Sequence, residues 1–348
     1  MTRECDEASP AFLYNPTVPP KSDLYAAVGP FVQPRPHQAV AELLETVVPY
    51  LLLNVAMVLL VRRGHAGIAL ALTVPTAAFL VRVFIIFHDC CHGSFFPSRR
   101  ANRITGYLLG LCTLTPFDKW QREHAEHHAT VGDLDRRGVG DVWTLTTDEY
   151  LAASTTMRLF YRVFRNPFIL FGVSPALLFL LGNRFSAPSK GRRERVSVYI
   201  TNVGILALAL IAYLTVGLKT VLLIQLPTAL VAGSAGVWLF YVQHQFDDVY
   251  WARHEMWDPI AAALEGSSYY RLPKVLQWLT GSIGLHHIHH VQPRIPSYNL
   301  QRCQDAIPAF QDVPALTLRR SVSMLRLRLL DEASGRMVTL AAVRARQR

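Results

Sequence analysis

Histidines dominate the chemistry available to this chain, in three clusters: His88-Asp-Cys-Cys-His92, His124-Ala-Glu-His-His128 and His286-His-Ile-His-His290. Residues three and four apart share one helix face. That spacing joins His88 with His92, joins His124, His127 and His128, and joins His286, His289 and His290. His287 falls off the third stripe and is not expected to be a ligand. Eight imidazoles exceed the four ligands that one zinc ion usually takes. They suit two transition-metal ions with open positions, and imidazole fits iron, copper, nickel or zinc alike. His244 follows an apolar stretch at the depth expected for His88 and is a ninth candidate. His37, His65 and His254 lack partners and read as structural or solvated.

A metal-bound histidine usually gives its other N–H to a carboxylate or carbonyl. Asp89, Glu123, Glu126, Asp133, Asp135 and Asp247 lie near the clusters and are candidates for that role. The Glu plus Glu-x-x-His pattern of carboxylate-bridged soluble bundles is not visible, so a histidine-dominated dimetal site is the better reading. No residue beyond the ligands themselves is assigned a catalytic role.

The elements that must bring these clusters together are membrane helices. A bilayer core needs about 20 mostly apolar residues in a helix, and four stretches qualify, at about 43–61, 66–87, 196–217 and 220–242. Arg62-Arg-Gly-His65 joins the first two and Leu218-Lys219 the last two, predicting two tight hairpins. Apolar stretches at about 104–117 and 167–182 are shorter, the second carries Pro175, and both read as interfacial or buried. With four crossings, residues 1–42, 88–195 and 243–348 share one side, so all three clusters can converge. The expected fold is an all-α integral membrane protein, with four transmembrane helices in two hairpins and a cytoplasmic helical cap carrying the histidines. Residues 1–42 form its N-terminal segment, 43–310 the membrane domain and 311–348 a basic tail, read from Leu316 onward as an amphipathic surface helix.

Charge supports this topology. The net charge is +10, yet no aromatic-interleaved basic stripe or DNA-binding motif appears, so no nucleic acid partner is expected. Of the 35 lysines and arginines, 31 fall on the side shared by the clusters. Positive residues near span ends mark the cytoplasmic face, and anionic lipid heads are their natural partners. The N-terminus lacks the basic start and apolar run of a secretory signal. The five cysteines are odd in number and without metal-site spacing, so they read as packing groups.

Between about Arg82 and Cys303 the chain resembles the membrane fatty acid desaturases, in particular bacterial acyl-lipid members akin to the omega-6/delta-12 branch. The words that carry the resemblance are His88-Asp-Cys-Cys-His-Gly-Ser-Phe-Phe, Trp120-Gln-Arg-Glu-His-Ala-Glu-His-His-Ala-Thr with Asp133-Leu-Asp-Arg-Arg-Gly, Tyr241-Val-Gln-His-Gln-Phe, and Gly284-Leu-His-His-Ile-His-His-Val-Gln-Pro. The resemblance implies a diiron centre held by His88, His92, His124, His127, His128, His244, His286, His289 and His290. Some members carry an asparagine one turn before the ninth histidine, holding a metal-bound water. Here that position is Phe240, so the feature is absent or supplied by Gln243 or Gln245.

The implied activity uses two iron ions and O2 to place a cis double bond in the acyl chain of a membrane lipid. It implies a bacterial inner membrane, with the site on the cytoplasmic face. No haem motif or dinucleotide fingerprint is evident, so electrons are expected from a ferredoxin-like donor. Selectivity along a uniform chain must come from the depth and bend of an apolar tunnel, with Trp120, Trp238, Tyr241 and Trp251 as candidate walls. The alternative is a diiron hydroxylase or ketolase acting on an alkane, acyl chain or carotenoid. A zinc hydrolase is disfavoured, since His254-Glu-Met-Trp-Asp258 lacks the second histidine of a zinc-protease helix. A metal transporter is disfavoured because charges within the spans are nearly absent.

Overall fold

The computed structural model describes residues 20–187 and 190–346, so residues 1–19 of the expected N-terminal segment lie outside the described residues. Four helices are long and apolar enough to cross a membrane: Pro36–Arg62, Ala66–His92, Arg192–Val216 and Leu218–His244. Lipid offers no hydrogen bonds to backbone, so an apolar stretch of this length satisfies its own as helix. The helices outrun the apolar cores read from sequence because helical bonding continues into the polar ends. That continuation is what places His88, His92 and His244 on ordered turns. The connections after the first and third of these helices contain Gly64 (φ +81°) and Gly217 (φ +82°), a conformation other residues adopt only with strain.

The second span is the central one. Of its apolar window 56% is buried, against 17 to 22% for the other three. It packs on the first and fourth spans and on helix Arg99–Cys112. Its one arginine, Arg82, is buried and fully engaged. Arg82 Nε donates to Thr46 Oγ1 at 2.9 Å, the guanidinium also binds Glu42 and the Trp278 carbonyl, and it lies 4.1 Å from the Trp278 ring centre. A charge at this depth is tolerated when so paired. Arg82 thereby ties the first two spans to the segment that leads into the third histidine cluster.

The apolar stretch around Pro175 continues helix Thr155–Phe164 after a bend of 60°. Its backbone is π-helical on both sides of Ser174–Ala176.

Two expectations need correction. The chain is mostly helical but not all-α, and the tail is not a surface helix. Strands Leu327–Asp331 and Arg336–Thr339 form an antiparallel hairpin, joined by Leu145–Thr146 in parallel. Tyr269–Arg271 pairs in parallel with Ala315–Thr317. The physical reason is visible in Leu325-Arg-Leu-Arg-Leu329, whose strict alternation is the two-residue period of a strand. Gly335, at φ +65°, helps turn the hairpin.

Candidate metal centre

The second histidine cluster rides on helix Phe117–Thr130 and the third on the short helix His286–Val291. Together with the ends of the second and fourth spans they place nine imidazoles in two groups. His88, His92, His124, His128 and His289 form one; His127, His244, His286 and His290 form the other. Within each group the candidate ligand atoms lie within 4.8 Å of one another. The groups cut across the sequence clusters: the second cluster sends two rings one way and one the other, and the third does the reverse.

The nitrogen geometry asks for a cation. Asp141 Oδ1 lies 2.9 Å from His127 Nδ1, and the Gly266 carbonyl lies 3.0 Å from His244 Nδ1. An ionised carboxylate and a carbonyl only accept, so both rings carry their proton on Nδ1. In the neutral rings Nε2 is then a bare lone pair, yet these two Nε2 atoms face each other at 3.2 Å. His244 Nε2 also lies 3.0 Å from His286 Nε2, and His88 Nε2 lies 3.0 Å from His289 Nε2. Two nitrogens bound at right angles to one ion, each roughly 2.1 Å from it, stand about 3.0 Å apart. His92 Nε2 is buried without any hydrogen-bond partner, as expected of an atom that completes such a shell.

Burial, with the neighbouring imidazoles adding to it, pushes His124, His128, His286, His289 and His290 well below the ordinary 6.5. They therefore stay neutral, which is the form that binds metal. His287 points elsewhere: its Nε2 donates to Gln304 Oε1 at 3.1 Å, and it belongs to neither group.

The carboxylates divide. Asp89 lies against His88 Nδ1 at 3.2 Å, and its other oxygen accepts from Ser297 N at 2.7 Å, linking the first cluster to helix Ser297–Ala306. The other five candidates are engaged away from the cluster histidines. Glu123 and Glu126 pair with Arg122 at 3.1 and 3.0 Å, because a residue directly before a ligand is turned about 100° away on the helix. Asp133 accepts from His254 Nδ1 at 2.7 Å, Asp135 pairs with Arg253 at 2.6 Å, and Asp247 pairs with Arg320 at 3.1 Å. Sequence reasoning missed Asp141 and the Gly266 carbonyl. Asp141 had one usable signal, the preceding Gly140. A Cβ at Gly140 would stand 2.9 Å from His127 Cβ, so glycine there permits the close approach.

A cavity of about 520 Å³ adjoins the cluster, with His88, His124 and His286 in its wall. That size is ordinary for a small-molecule pocket, roughly 300–1,000 Å³. Its remaining walls come mainly from the second and fourth spans and the bent segment, among them Phe84, Leu170, Phe179 and Leu239. Trp120 lines it and stacks on His124 with ring centres 4.2 Å apart. Trp238 and Tyr241 are instead bonded to Tyr270 and to the Met324 carbonyl, and Trp251 lines a separate small void beside His244. Phe240 lies against His127 and His244, at 5.2 and 5.3 Å between ring centres. Of the two glutamines, Gln245 is turned away and accepts from Arg165, while Gln243 lines the cavity and donates to the Ile283 carbonyl.

Four apolar spans and two histidine groups able to hold a metal centre, opening on an apolar cavity, define a membrane protein of the histidine-box oxidase class. Residues 64–319 match the fatty acid desaturase family. The chain is 46% identical over 332 residues to a fatty acid desaturase of Bacillus subtilis, covering 93% of this chain and 92% of that one. It is 26% identical over 230 residues to an sn-1 oleoyl-lipid 12-desaturase of Synechocystis sp., covering 65% and 64%. It is also 26% identical over 236 residues to an sn-1 acyl-lipid omega-3 desaturase (ferredoxin) of Synechocystis sp., covering 65% and 63%. The chain belongs to the fatty acid desaturase family and is an oxidoreductase.

Proposed function

We propose that this desaturase binds two iron ions, one in each histidine group, and introduces a cis double bond into the acyl chain of a membrane lipid. The observation that carries the proposal is the pair of five- and four-imidazole groups, with bare nitrogens 3.0 to 3.2 Å apart, beside an apolar cavity whose wall includes His88, His124 and His286. Bound iron supplies the power to take two hydrogens from adjacent methylenes, with O2 as the final acceptor. The protein does the rest. Asp89, Asp141 and the Gly266 carbonyl hold His88, His127 and His244 in the tautomer that leaves Nε2 free. The cavity wall holds the chain against the histidines and keeps water away, since an apolar surface gives water no partners.

Topology follows from convergence. Clusters that meet in one site lie on one side of the membrane, so an even number of crossings separates the second cluster from His244. The third and fourth spans provide those crossings as a hairpin, and the bent segment around Pro175 returns to its own side. The excess of arginine and lysine makes that side cytoplasmic, and the membrane is the bacterial inner one. Electrons then come from a soluble one-electron carrier at that face, and one relative bears ferredoxin in its name.

Expression in a bacterium without desaturases, followed by mass spectrometry of its fatty acids, tests the proposal. New cis-unsaturated chains and two iron atoms per polypeptide are expected. Oxygenated lipid without new double bonds would favour the hydroxylase or ketolase reading instead.

A further inference from the structure

We infer that the open space beside Gly236 of the fourth span sets how much of the acyl chain passes beyond the histidine groups, and so helps select which carbon pair is oxidised. The inference rests on the desaturase reading above. Most of the cavity's lining is apolar, and its polar groups are few. Thr113, Glu123 and Asn183 line the end beside helix Phe117–Thr130, where Asn183 Nδ2 donates to the Leu114 carbonyl and Lys119 Nζ to the Gly182 carbonyl. Along the spans the lining before His88 and Gln243 is wholly apolar, with Leu80 and Phe84 on the second span and Ala229, Ala232 and Gly236 on the fourth. The methyl-terminal part of a chain belongs in that apolar length and the carrier end among the polar groups.

A polymethylene chain offers no polar handle, so its register is decided by where it is stopped. Gly236 lies eight residues before His244, and Leu80 eight before His88, which is about 12 Å along each helix. An extended chain advances about 1.2 Å per bond, a third of the roughly 3.5 Å spanned by a three-bond peptide residue. The two residues therefore flank the cavity about ten bonds from the helix turns that carry the histidines.

What marks Gly236 is the use of its empty side. A Cβ there would meet nothing within 4 Å, although the residue lines the cavity. Gly233, one turn away, is different: its Cβ would stand 3.2 Å from Pro175 and 3.3 Å from Phe179, so that glycine serves helix packing. The space beside Gly236 is left for a ligand. Gly236 sits inside helix Leu218–His244 and outside the left-handed region, so alanine or leucine fits its backbone without strain and favours the helix.

The test is the product profile of wild type, Gly236→Ala and Gly236→Leu in the desaturase-free host, with double bonds located by derivatisation and mass spectrometry. Iron content and melting temperature are measured alongside. Leucine is expected to move the double bond toward the methyl end, or to favour shorter chains, by at least about tenfold in product ratio, since one or more methylenes in an apolar pocket discriminate by that much. Alanine shifts the ratio the same way by less. Where leucine closes the cavity and activity is lost with iron retained, alanine decides. Unchanged ratios, or a shift toward the carboxyl end, in folded and iron-loaded variants overturn the inference. A wild type that makes no double bonds sinks the desaturase reading itself, and this inference with it.

Discussion

Asp141 touches one histidine group only, and that makes it a sharp probe of the site. Its Oδ1 lies 2.9 Å from His127 Nδ1, and its side chain is 8% exposed. Asp141→Asn preserves an acceptor of nearly the same shape but removes the charge. A charge-assisted hydrogen bond is roughly twice as strong as a neutral one, and loss of such an outer partner costs about 10- to 100-fold in metal affinity. The amide should fall near the lower bound and Asp141→Ala near the upper, which is about 1.4 and 2.7 kcal/mol. His127 sits with His244, His286 and His290, while Asp89 serves His88 in the other group. Anaerobic iron titration against a competing chelator should therefore show one ion weakened in Asp141→Asn and the other unchanged. Mössbauer spectra should assign the weakened ion to a different site in Asp89→Asn. Equal weakening of both ions, or no change in either, would refute the division into two groups and the role given to Asp141.

Further outcomes follow from the same geometry. His127→Ala should lose one iron and about 100-fold or more in activity, beyond the range of a lost outer partner, whereas His287→Ala keeps both ions and measurable turnover; equal loss in the two would overturn the ligand assignment. Burial pushes the His287 imidazole from 6.5 down to about 4. The unfolded chain therefore takes up that proton first as pH falls. The stability that neutral His287 allows is intact above about pH 6.5 and declines toward pH 4, by about 3 kcal/mol in total at 1.36 kcal/mol per unit. His287→Gln, which can still donate to Gln304, should remove that share of the pH slope in melting experiments at matched detergent. Arg82→Met strips the partner from Glu42 and should cost about 3–5 kcal/mol, as for other broken buried pairs, while Arg82→Met with Glu42→Leu should recover most of it. Thermal unfolding reads both, and a single variant as stable as the parent would contradict the clamp.

Much of this site was legible in the residues. The i, i+3, i+4 spacing is a local property of a helix, so picking out the eight cluster histidines that the structure gathers into two groups, and setting His287 apart from them, needed no tertiary knowledge. The spans were legible because their apolar length exceeds what a soluble helix needs. The tail departs from the expected surface helix because Leu325 to Leu329 follow the two-residue period of a strand, which its arginines do not override. Five of six carboxylate candidates were misassigned because nearness in sequence says little about direction: Glu123 and Glu126 adjoin ligands and face Arg122.

The sequence by itself determined which side chains could bind metal, and the long apolar stretches whose ends carry several of them. Only the tertiary structure decided how those side chains are shared. His127 parts from His124 and His128, and His289 from His286 and His290, because the split depends on how separate helices are turned toward one another. The same holds for Asp141, the Gly266 carbonyl and the void beside Gly236. Each is defined by a neighbour distant along the chain, and no local periodicity encodes a distance across space.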